Sequence, residues 1–201
     1  EKTLARAREL VGNFRQVAVD RQSEKKRAFN FDHIIRETIA TLQPTLQKTP
    51  FKLELDLDGD QVIDSYPGAV SQLVSNFVEN AVKHAYEGRE QGTIRLSSSI
   101  ENRSKAAGAA GRTIVFKCRD DGVGIPDKNL KKVFEPFFTT KFGKGGSGLG
   151  MAICYQLATE ALNGTISVSS KVGHGTEFTV EIPVTEPQKK KAHITTTTKV
   201  H

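Results

Sequence analysis

The segments that favour β-strands occur in adjacent pairs along the chain, and segments that favour helices separate the pairs. FKLELDLD (51–58) alternates apolar and charged residues, as a half-buried strand does, and the short strand QVID follows it. TIRLSSSI (93–100) and RTIVFKC (112–118) form the second pair, and TISVSS and TEFTVEIP form the third. Most neighbouring strands are expected to pair antiparallel. An apolar sheet face must be covered, so this order predicts an α+β fold: a two-layer sandwich with a mixed, mostly antiparallel sheet and helices on one face.

Capping and proline signals place the helices between these strands. Asp32 is predicted to be the N-cap of a helix that ends before Pro44. Pro67 suits the first turn of a helix that continues to about Tyr86. Two further helices are predicted at about 127–132 and 151–162.

The ends of the chain differ in character from its middle. Residues 1–27 are predicted to form an amphipathic helix that needs a partner helix, because apolar residues recur at steps of three and four. These positions are Leu4, Ala7, Val11, Phe14 and Ala18. The folded domain is predicted over 29–184, and residues 185–201 lack periodicity and are predicted to be a disordered basic tail.

Composition favours a soluble globular protein, with 37% hydrophobic and 26% charged residues and a net charge of +6. No apolar run approaches the roughly 20 residues that span a bilayer. No basic stripe interleaved with aromatic residues occurs, so nucleic acid is not an expected partner. Cys118 and Cys154 are far apart in the sequence, lack metal-ligand spacing and are expected to be reduced core residues.

The helix that contains NFVENAVKHAY (76–86) is the first candidate site. Asn76, Asn80, Lys83 and His84 share one face at helical spacing. Amide oxygens can hold a hard cation such as Mg²⁺, and an ammonium or imidazole can neutralise phosphate oxygens. The alternative is an exposed helix face without a ligand.

Two glycine-rich segments and a phenylalanine-rich one follow. In CRDDGVGIP (118–126), a carboxylate at a strand end can accept hydrogen bonds from an amine, although Asp-Gly also makes ordinary turns. GKGGSGLGMAI (143–153) ends at a helix N-terminus and can cradle phosphate, although a flexible linker has similar composition. It matches neither a Walker A loop nor a dinucleotide fingerprint. FEPFFTTKFG (134–143) indicates an anchored lid.

Taken in order, these segments and the final GTEFTVEIP strand resemble the ATP-binding fold shared by sensor histidine kinases, type II topoisomerases, a chaperone family and mismatch-repair ATPases. The phenylalanine-rich segment and short lid are similar specifically to the catalytic and ATP-binding domain of a two-component sensor histidine kinase. The resemblance covers roughly residues 29–184.

The resemblance implies roles for the polar helix face and for the end of the 112–118 strand. Asn80 would ligate Mg²⁺. Catalytic contacts with the metal or the ATP phosphates would come from Asn76, Lys83 and His84. Asp120 would bind the adenine amino group.

The remaining nucleotide contacts that the resemblance implies lie in the loops. Thr176 would help to hold a water molecule beside the adenine. Phe134, Phe137 and Phe138 would anchor the lid, and Asp121 would point away from the nucleotide. The other implied contacts are Gly122, Gly124, Ile125, Phe138, Lys141, Gly146, Ser147, Gly148, Leu149 and Gly150.

The implied reaction moves the γ-phosphoryl group of ATP to a histidine on a dimerisation hairpin, for relay to the receiver domain of a response regulator. In the family that histidine is normally followed by an acidic residue and then by Pro a few positions on. No histidine of this chain has that setting. Residues 1–28 resemble the second helix of the hairpin, so the phosphoacceptor helix is expected upstream, outside this chain. We expect a cytoplasmic domain of a parent protein that dimerises through the hairpin.

Other branches of the same fold remain alternatives. Topoisomerase-like and chaperone-like ATPase clamps carry a Glu one helical turn before the metal-binding Asn, and this chain has Asn76 there. Glu79 is adjacent to Asn80 but points about 100° away on an α-helix. A nucleotide-binding module without kinase activity is a further alternative. The phenylalanine-rich segment argues against a serine-kinase branch.

Overall fold

The computed structural model describes residues 25–59, 61–103, 111–141 and 146–184, and these form seven strands and four helices. The strands are β1 (Arg27–Asn30), β2 (Phe51–Leu57), β3 (Val62–Ser65), β4 (Gly92–Arg103), β5 (Gly111–Asp120), β6 (Thr165–Lys171) and β7 (Gly175–Pro183). The helices are α1 (Phe31–Leu46), α2 (Pro67–Asn80), α3 (Asp127–Leu130) and α4 (Gly150–Gln156). Single π-helical turns extend α2 over Ala81–Ala85 and α4 over Leu157–Ala161.

The main sheet has five strands in the order β2-β4-β5-β7-β6. β2 pairs with β4 in parallel, and the other three pairings are antiparallel. This mixed, mostly antiparallel sheet confirms the predicted α+β class. The predicted pairing of β2 with β3 is wrong, because β3 instead pairs with β1 in a separate two-stranded sheet. β1 is four residues long with one fully buried side chain, Phe29, so it carries no periodic pattern that reveals it.

The predicted bounds of the first two helices need correction. Arg27, the last residue of the predicted N-terminal helix, lies in β1, and residues 1–24 fall outside the described part of the chain. Asn30 rather than Asp32 caps α1, since its side chain accepts a hydrogen bond from the backbone of His33 at 2.8 Å. The helix also continues past Pro44, which lies in its last turn and removes only one backbone hydrogen bond there.

Helices cover one face of the main sheet, and aromatic rings fill the interface. Phe77 of α2 stacks on Phe178 of β7 with ring centres 5.2 Å apart and lies 6.2 Å from Phe116 of β5. Phe31 of α1 meets the same Phe116 ring edge-on at 5.9 Å. Since α2 packs through its apolar side, its other side is left for polar residues, as the sequence predicted.

Both cysteines are free and buried in this core, which confirms their predicted placement. Burial raises the pKa of the Cys118 thiol in β5 and of the Cys154 thiol in α4. A protonated buried thiol is a poor nucleophile, so both residues act as packing groups.

Asp32 has a structural role that its predicted N-cap position did not indicate. Its side chain is 1% exposed and accepts hydrogen bonds from the Gly59 N–H at 2.6 Å and the Ser98 hydroxyl at 2.5 Å. The carboxylate therefore joins α1 to the turn after β2 and to the middle of β4.

The predicted tail (185–201) and most of the predicted 102–111 loop lie outside the described residues. The β4–β5 hairpin that the loop connects is present. Within the described ranges, no helix is both long enough and apolar enough to cross a bilayer.

We expect Asp32→Ala to lower the free energy of unfolding by about 3 kcal/mol, because it leaves the Gly59 N–H and the buried Ser98 hydroxyl without an acceptor. Urea unfolding followed by circular dichroism measures the change. Asp56→Ala, at an exposed position of β2, is the control and should change stability by less than about 0.5 kcal/mol. Equal losses in the two variants would contradict the assigned role.

Candidate functional site

A buried carboxylate at the end of β5 is the centre of the candidate site. Asp120 is 6% exposed, and its Oδ1 accepts hydrogen bonds from the backbone N–H groups of Gly122 at 2.9 Å and Thr176 at 3.2 Å. Burial raises the pKa of Asp120, and these two N–H groups oppose that rise. Its Oδ2 accepts no hydrogen bond within the described residues, so this oxygen retains acceptor capacity there.

The neighbouring carboxylate points elsewhere, as predicted. Asp121 accepts a hydrogen bond from the backbone N–H of Thr93 at 2.8 Å, and its carbonyl oxygen accepts one from the Arg89 guanidinium at 2.6 Å. It therefore ties the loop after β5 to the beginning of β4.

Glycines in the loop after β5 allow close packing of protein backbone. A side chain on Gly122 would overlap the Ala85 carbonyl, and one on Gly124, whose φ is +71°, would overlap the Lys171 carbonyl. The Val123 N–H donates to the Ala85 carbonyl at 2.7 Å. Packing of the loop therefore requires glycine at these two positions. The sequence had suggested a different reason, namely the close approach of a ligand. Contact of these glycines with a nucleotide stays a prediction.

Ser170 of β6 is a site residue that sequence reasoning missed. Its hydroxyl contacts Ile125 of the loop after β5 and Thr176 of β7. The sequence offered only a weak indication of this role, because Ser170 is a polar residue at an inward position of the alternating strand β6. The side chains of Asp120 and Thr176 lie on the same sheet face, because these residues are partners in the β5–β7 register.

The polar face of α2 is only partly as predicted. Asn76 donates to the Gly150 carbonyl at 3.4 Å and accepts from Gln72 at 3.0 Å, so it ties α2 to the first residue of α4. Asn80 is half-buried, and its side chain makes no hydrogen bond within the part of the chain that the structure describes. Of the two amides, Asn80 is the one open to a ligand.

Lys83 and His84 lie within the π-helical turn that follows Asn80. A π-turn holds more residues per turn than an α-helix, so positions after Asn80 leave the α-helical register. The Lys83 ammonium lies 2.7 Å from the Glu79 carboxylate. The Lys83 charge is therefore paired with Glu79 in this structure, and its contact with a nucleotide stays a prediction.

His84 is half-buried beside two lysines. Burial lowers its pKa, and the ammonium groups of Lys141 and Lys83 lower it further, while Glu87 acts in the opposite direction. The imidazole is therefore neutral near pH 7, and it can offer hydrogen bonds rather than a positive charge to a phosphate.

Phe134, one of the predicted aromatic anchors of the lid segment (134–143), packs against other aromatic rings. Phe134 packs at ring-centre distances of 5.8 Å from Tyr155 and 6.2 Å from Phe178. Phe137 is 38% exposed and its backbone adopts a φ of +66°, so its anchoring role stays a prediction. Phe138 is half-buried.

The lid is also joined to the π-turn through a lysine. The Lys141 ammonium donates to the Lys83 carbonyl at 2.5 Å and lies 3.7 Å from Glu87. Its charge is thus held near His84. Residues 142–145 fall outside the described ranges.

The second glycine segment ends at the beginning of α4. A side chain on Gly148, whose φ is +72°, would overlap the backbone of Phe137, and one on Gly146 would approach the Thr139 hydroxyl. Ser147 accepts a hydrogen bond from the backbone of Leu149, which is buried. No described atom lies within 4 Å of the position that a side chain on Gly150 would take, so space remains there.

The described residues contain no group of three or more His, Cys, Asp or Glu side chains that could hold a metal ion. Mg²⁺ commonly keeps several waters and takes further ligands from substrate phosphates, so it can bind with a single protein ligand. The open amide of Asn80 fits the predicted role of its protein ligand.

A separate apolar groove of about 410 Å³ lies beside α4 and is lined partly by Phe134, Ile153 and Tyr155. Asp120, Asn80 and Thr176 are not among its lining residues. It therefore lacks the polar groups on which the predicted nucleotide site depends.

The described residues form an α+β sandwich. Residues 66–186 match the family described as "Histidine kinase-, DNA gyrase B-, and HSP90-like ATPase", and the chain belongs to that family. This confirms the resemblance drawn from the sequence.

Curated relatives are named as sensor kinases. The chain is 34% identical over 160 residues to the sensor histidine kinase AruS of Pseudomonas aeruginosa, an alignment covering 77% of this chain and 15% of AruS. It is 44% identical over 89 residues to RcsC of Escherichia coli, covering 41% of this chain and 9% of RcsC. It is 29% identical over 194 residues to LuxQ of Vibrio parahaemolyticus, covering 94% of this chain and 22% of LuxQ. The chain thus spans less than a quarter of each relative.

Solved structures show the same fold. The catalytic domain of histidine kinase ThkA superposes with a TM-score of 0.66 at 26% identity, covering 81% of this chain and 99% of that domain. The structure of MprB, a mycobacterial sensor histidine kinase, superposes with a TM-score of 0.65 at 20% identity, covering 80% of this chain and 98% of MprB. The described residues thus adopt the architecture of histidine kinase catalytic domains.

We expect the pKa of His84 to lie below 6.5 and to rise in Lys141→Met, because that change removes one positive charge beside the imidazole. NMR titration of the imidazole measures both values. The lowered pKa also means that the unfolded chain binds this proton more readily, so stability falls as the pH decreases from about 6.5 through the folded-state pKa. Lys117→Met, on β5, is the control. An unchanged or lower His84 pKa in Lys141→Met would contradict the described electrostatics.

Proposed function

We propose that this chain is the ATP-binding catalytic core of a sensor histidine kinase. The observation that carries the proposal is the buried Asp120 carboxylate, which has one oxygen held by two backbone N–H groups and the other open. Membership of the ATPase family and similarity to proteins named sensor histidine kinases support it.

Asp120 would select the base of the nucleotide. Its open oxygen is an acceptor that suits the exocyclic amine of adenine, and burial strengthens a hydrogen bond to such a donor. Gly122 and Thr176 hold the other oxygen, so the carboxylate cannot rotate without losing two hydrogen bonds. The base is thereby oriented with its amine toward the end of β5.

The phosphates would extend from the base toward α2, the lid and the N-terminus of α4. Asn80 would supply an amide oxygen to Mg²⁺, which neutralises phosphate charge when it is bound with the nucleotide. Lys83, His84 and Lys141 would offer N–H donors once Lys141 leaves the Lys83 carbonyl. The N–H groups at Ser147 and Gly150 would contact phosphate oxygens, and that of Leu149 would do so once it leaves the Ser147 hydroxyl. Asn76 would hold α4 in place for these contacts.

The γ-phosphoryl group would be transferred to a histidine on a dimerisation hairpin outside the described residues, with residues 1–24 contributing to its second helix. Phosphoryl transfer relies mainly on positioning and on stabilisation of phosphate charge, which suits a site rich in amides and N–H donors. The phosphohistidine would then donate its phosphoryl group to the receiver domain of a response regulator. A ThkA structure is described as a complex with the response regulator TrrA, and its 21% identity to this chain supports the fold alone.

The site is poorly arranged to activate water. Asn76 occupies the position one turn before Asn80, and it has no carboxylate to act as a base. Glu79 is paired with Lys83 at 2.7 Å on the exposed side of the helix. Both observations favour phosphoryl transfer to a protein over an ATPase clamp. A cytoplasmic location and a homodimeric parent protein remain parts of the proposal.

We expect Asp120→Asn to weaken ATP binding by roughly 10- to 100-fold, because an N–H₂ group replaces the open acceptor and loses a charge-assisted hydrogen bond. Asparagine keeps the oxygen that accepts from Gly122 and Thr176, so the loop should remain folded. Isothermal titration calorimetry with ATP and with adenosine measures the change. Asp121→Asn is the matched control and should bind ATP like the wild type. Wild-type affinity in Asp120→Asn would disprove the adenine assignment.

The phosphotransfer proposal is tested by mixing the chain with radiolabelled Mg-ATP and a longer polypeptide of the parent protein that includes the upstream helix. We expect acid-labile, alkali-stable label on that helix, since phosphohistidine has these properties. Rapid release of free phosphate without label would favour the clamp instead. Absence of ATP binding would exclude both functions.

A further inference from the structure

The Ser170 hydroxyl joins three segments of the candidate site. Ser170 occupies an inward position of β6 and is half-buried. Its Oγ accepts from the Ile125 N–H at 2.8 Å, donates to the Gly175 carbonyl at 2.8 Å, and lies 2.9 Å from the Thr176 hydroxyl. These partners belong to the loop after β5 and to the beginning of β7.

The count of hydrogen atoms fixes the direction of the contact between the two hydroxyls. A serine hydroxyl has one hydrogen to donate and two lone pairs to accept with. Ser170 gives its hydrogen to the Gly175 carbonyl and uses one lone pair for the Ile125 N–H. It can bond to the Thr176 hydroxyl only by accepting, so Thr176 is the donor in that contact.

This direction sets the polarity that the site presents to a ligand. The hydrogen of the Thr176 hydroxyl is used by Ser170, and its backbone N–H is used by Asp120. Thr176 can therefore only accept a hydrogen bond from a ligand, through Oγ1. This side chain lies on the same sheet face as that of Asp120. Together these two residues form an edge that accepts hydrogen bonds and donates none.

We infer that Ser170 is a positioning residue that sets the base selectivity of this site, in favour of a 6-amino purine over a 6-oxo purine. The inference rests on the proposed binding of ATP. A 6-amino group, or a water bonded to it, supplies hydrogens to the accepting edge, whereas a 6-oxo group places lone pairs against it. Without Ser170, the Thr176 hydroxyl is free to turn its hydrogen toward a 6-oxo group.

The experiment measures the affinities of the full chain for ATP and for inosine triphosphate, which has a 6-oxo group, by isothermal titration calorimetry. In Ser170→Ala we expect the preference for ATP over inosine triphosphate to narrow by roughly fivefold, about the effect of one hydrogen bond. Ser170→Thr keeps the hydroxyl and should restore the wild-type ratio. Ser169→Ala, at the adjacent outward position of β6, should leave the ratio unchanged.

A second readout needs no nucleotide. Hydrogen exchange of the Ile125 amide, followed by NMR, should accelerate in Ser170→Ala because the acceptor of that N–H is gone, and Ser170→Thr should restore its protection. Thermal melting of each variant shows whether the fold is retained.

The outcomes separate this inference from the proposed function. If the wild type does not bind ATP, the proposed function fails and the inference fails with it. If the wild type binds ATP but Ser170→Ala keeps the same ratio of affinities, the inference alone is overturned. An equal loss of affinity for both nucleotides with an unchanged ratio likewise overturns it, since that pattern indicates only a structural role.

Discussion

The site depends on the hydrogen bonds of the Asp120 carboxylate, whose two oxygens have different environments. One oxygen takes the N–H groups of Gly122 and Thr176, so the loop after β5 and the beginning of β7 are held around a single buried atom. The other oxygen retains acceptor capacity. A buried carboxylate is costly unless its hydrogen bonds are satisfied, so the backbone bonds that fix its orientation also reduce the cost of keeping it charged.

Close backbone packing makes this arrangement possible. Gly122 and Gly124 bring the loop against the Ala85 and Lys171 carbonyls, and the π-turn after α2 supplies the first of these contacts. The same π-turn carries Lys83 and His84 and accepts the hydrogen bond of Lys141 from the lid. The loop that follows Asp120 and the lid are therefore both hydrogen-bonded to the turn at the end of α2.

Sequence reasoning found the elements with strong local signals. The alternation in β2 and Pro67 at the beginning of α2 were interpreted correctly. The order of the strand pairs predicted the α+β class, and the glycine segments with the phenylalanine-rich segment indicated the family. It missed β1, which is too short to show a period, and the partner of β3, since pairing depends on contacts distant in sequence. It also did not anticipate the π-turn that carries Lys83 and His84, because an α-helical wheel assumes a regular α-helix. Ser170 was missed because its role exists only when β6, β7 and the loop after β5 meet.

The most direct test of this account is a crystal structure of the chain with Mg²⁺ and a non-hydrolysable ATP analogue. The account predicts that the exocyclic amine of the base lies within hydrogen-bond distance of the Asp120 carboxylate, with the phosphates directed toward Asn80 and the beginning of α4. A nucleotide bound elsewhere, such as in the apolar groove beside Phe134 and Tyr155, or a base held without contact to Asp120, would contradict it.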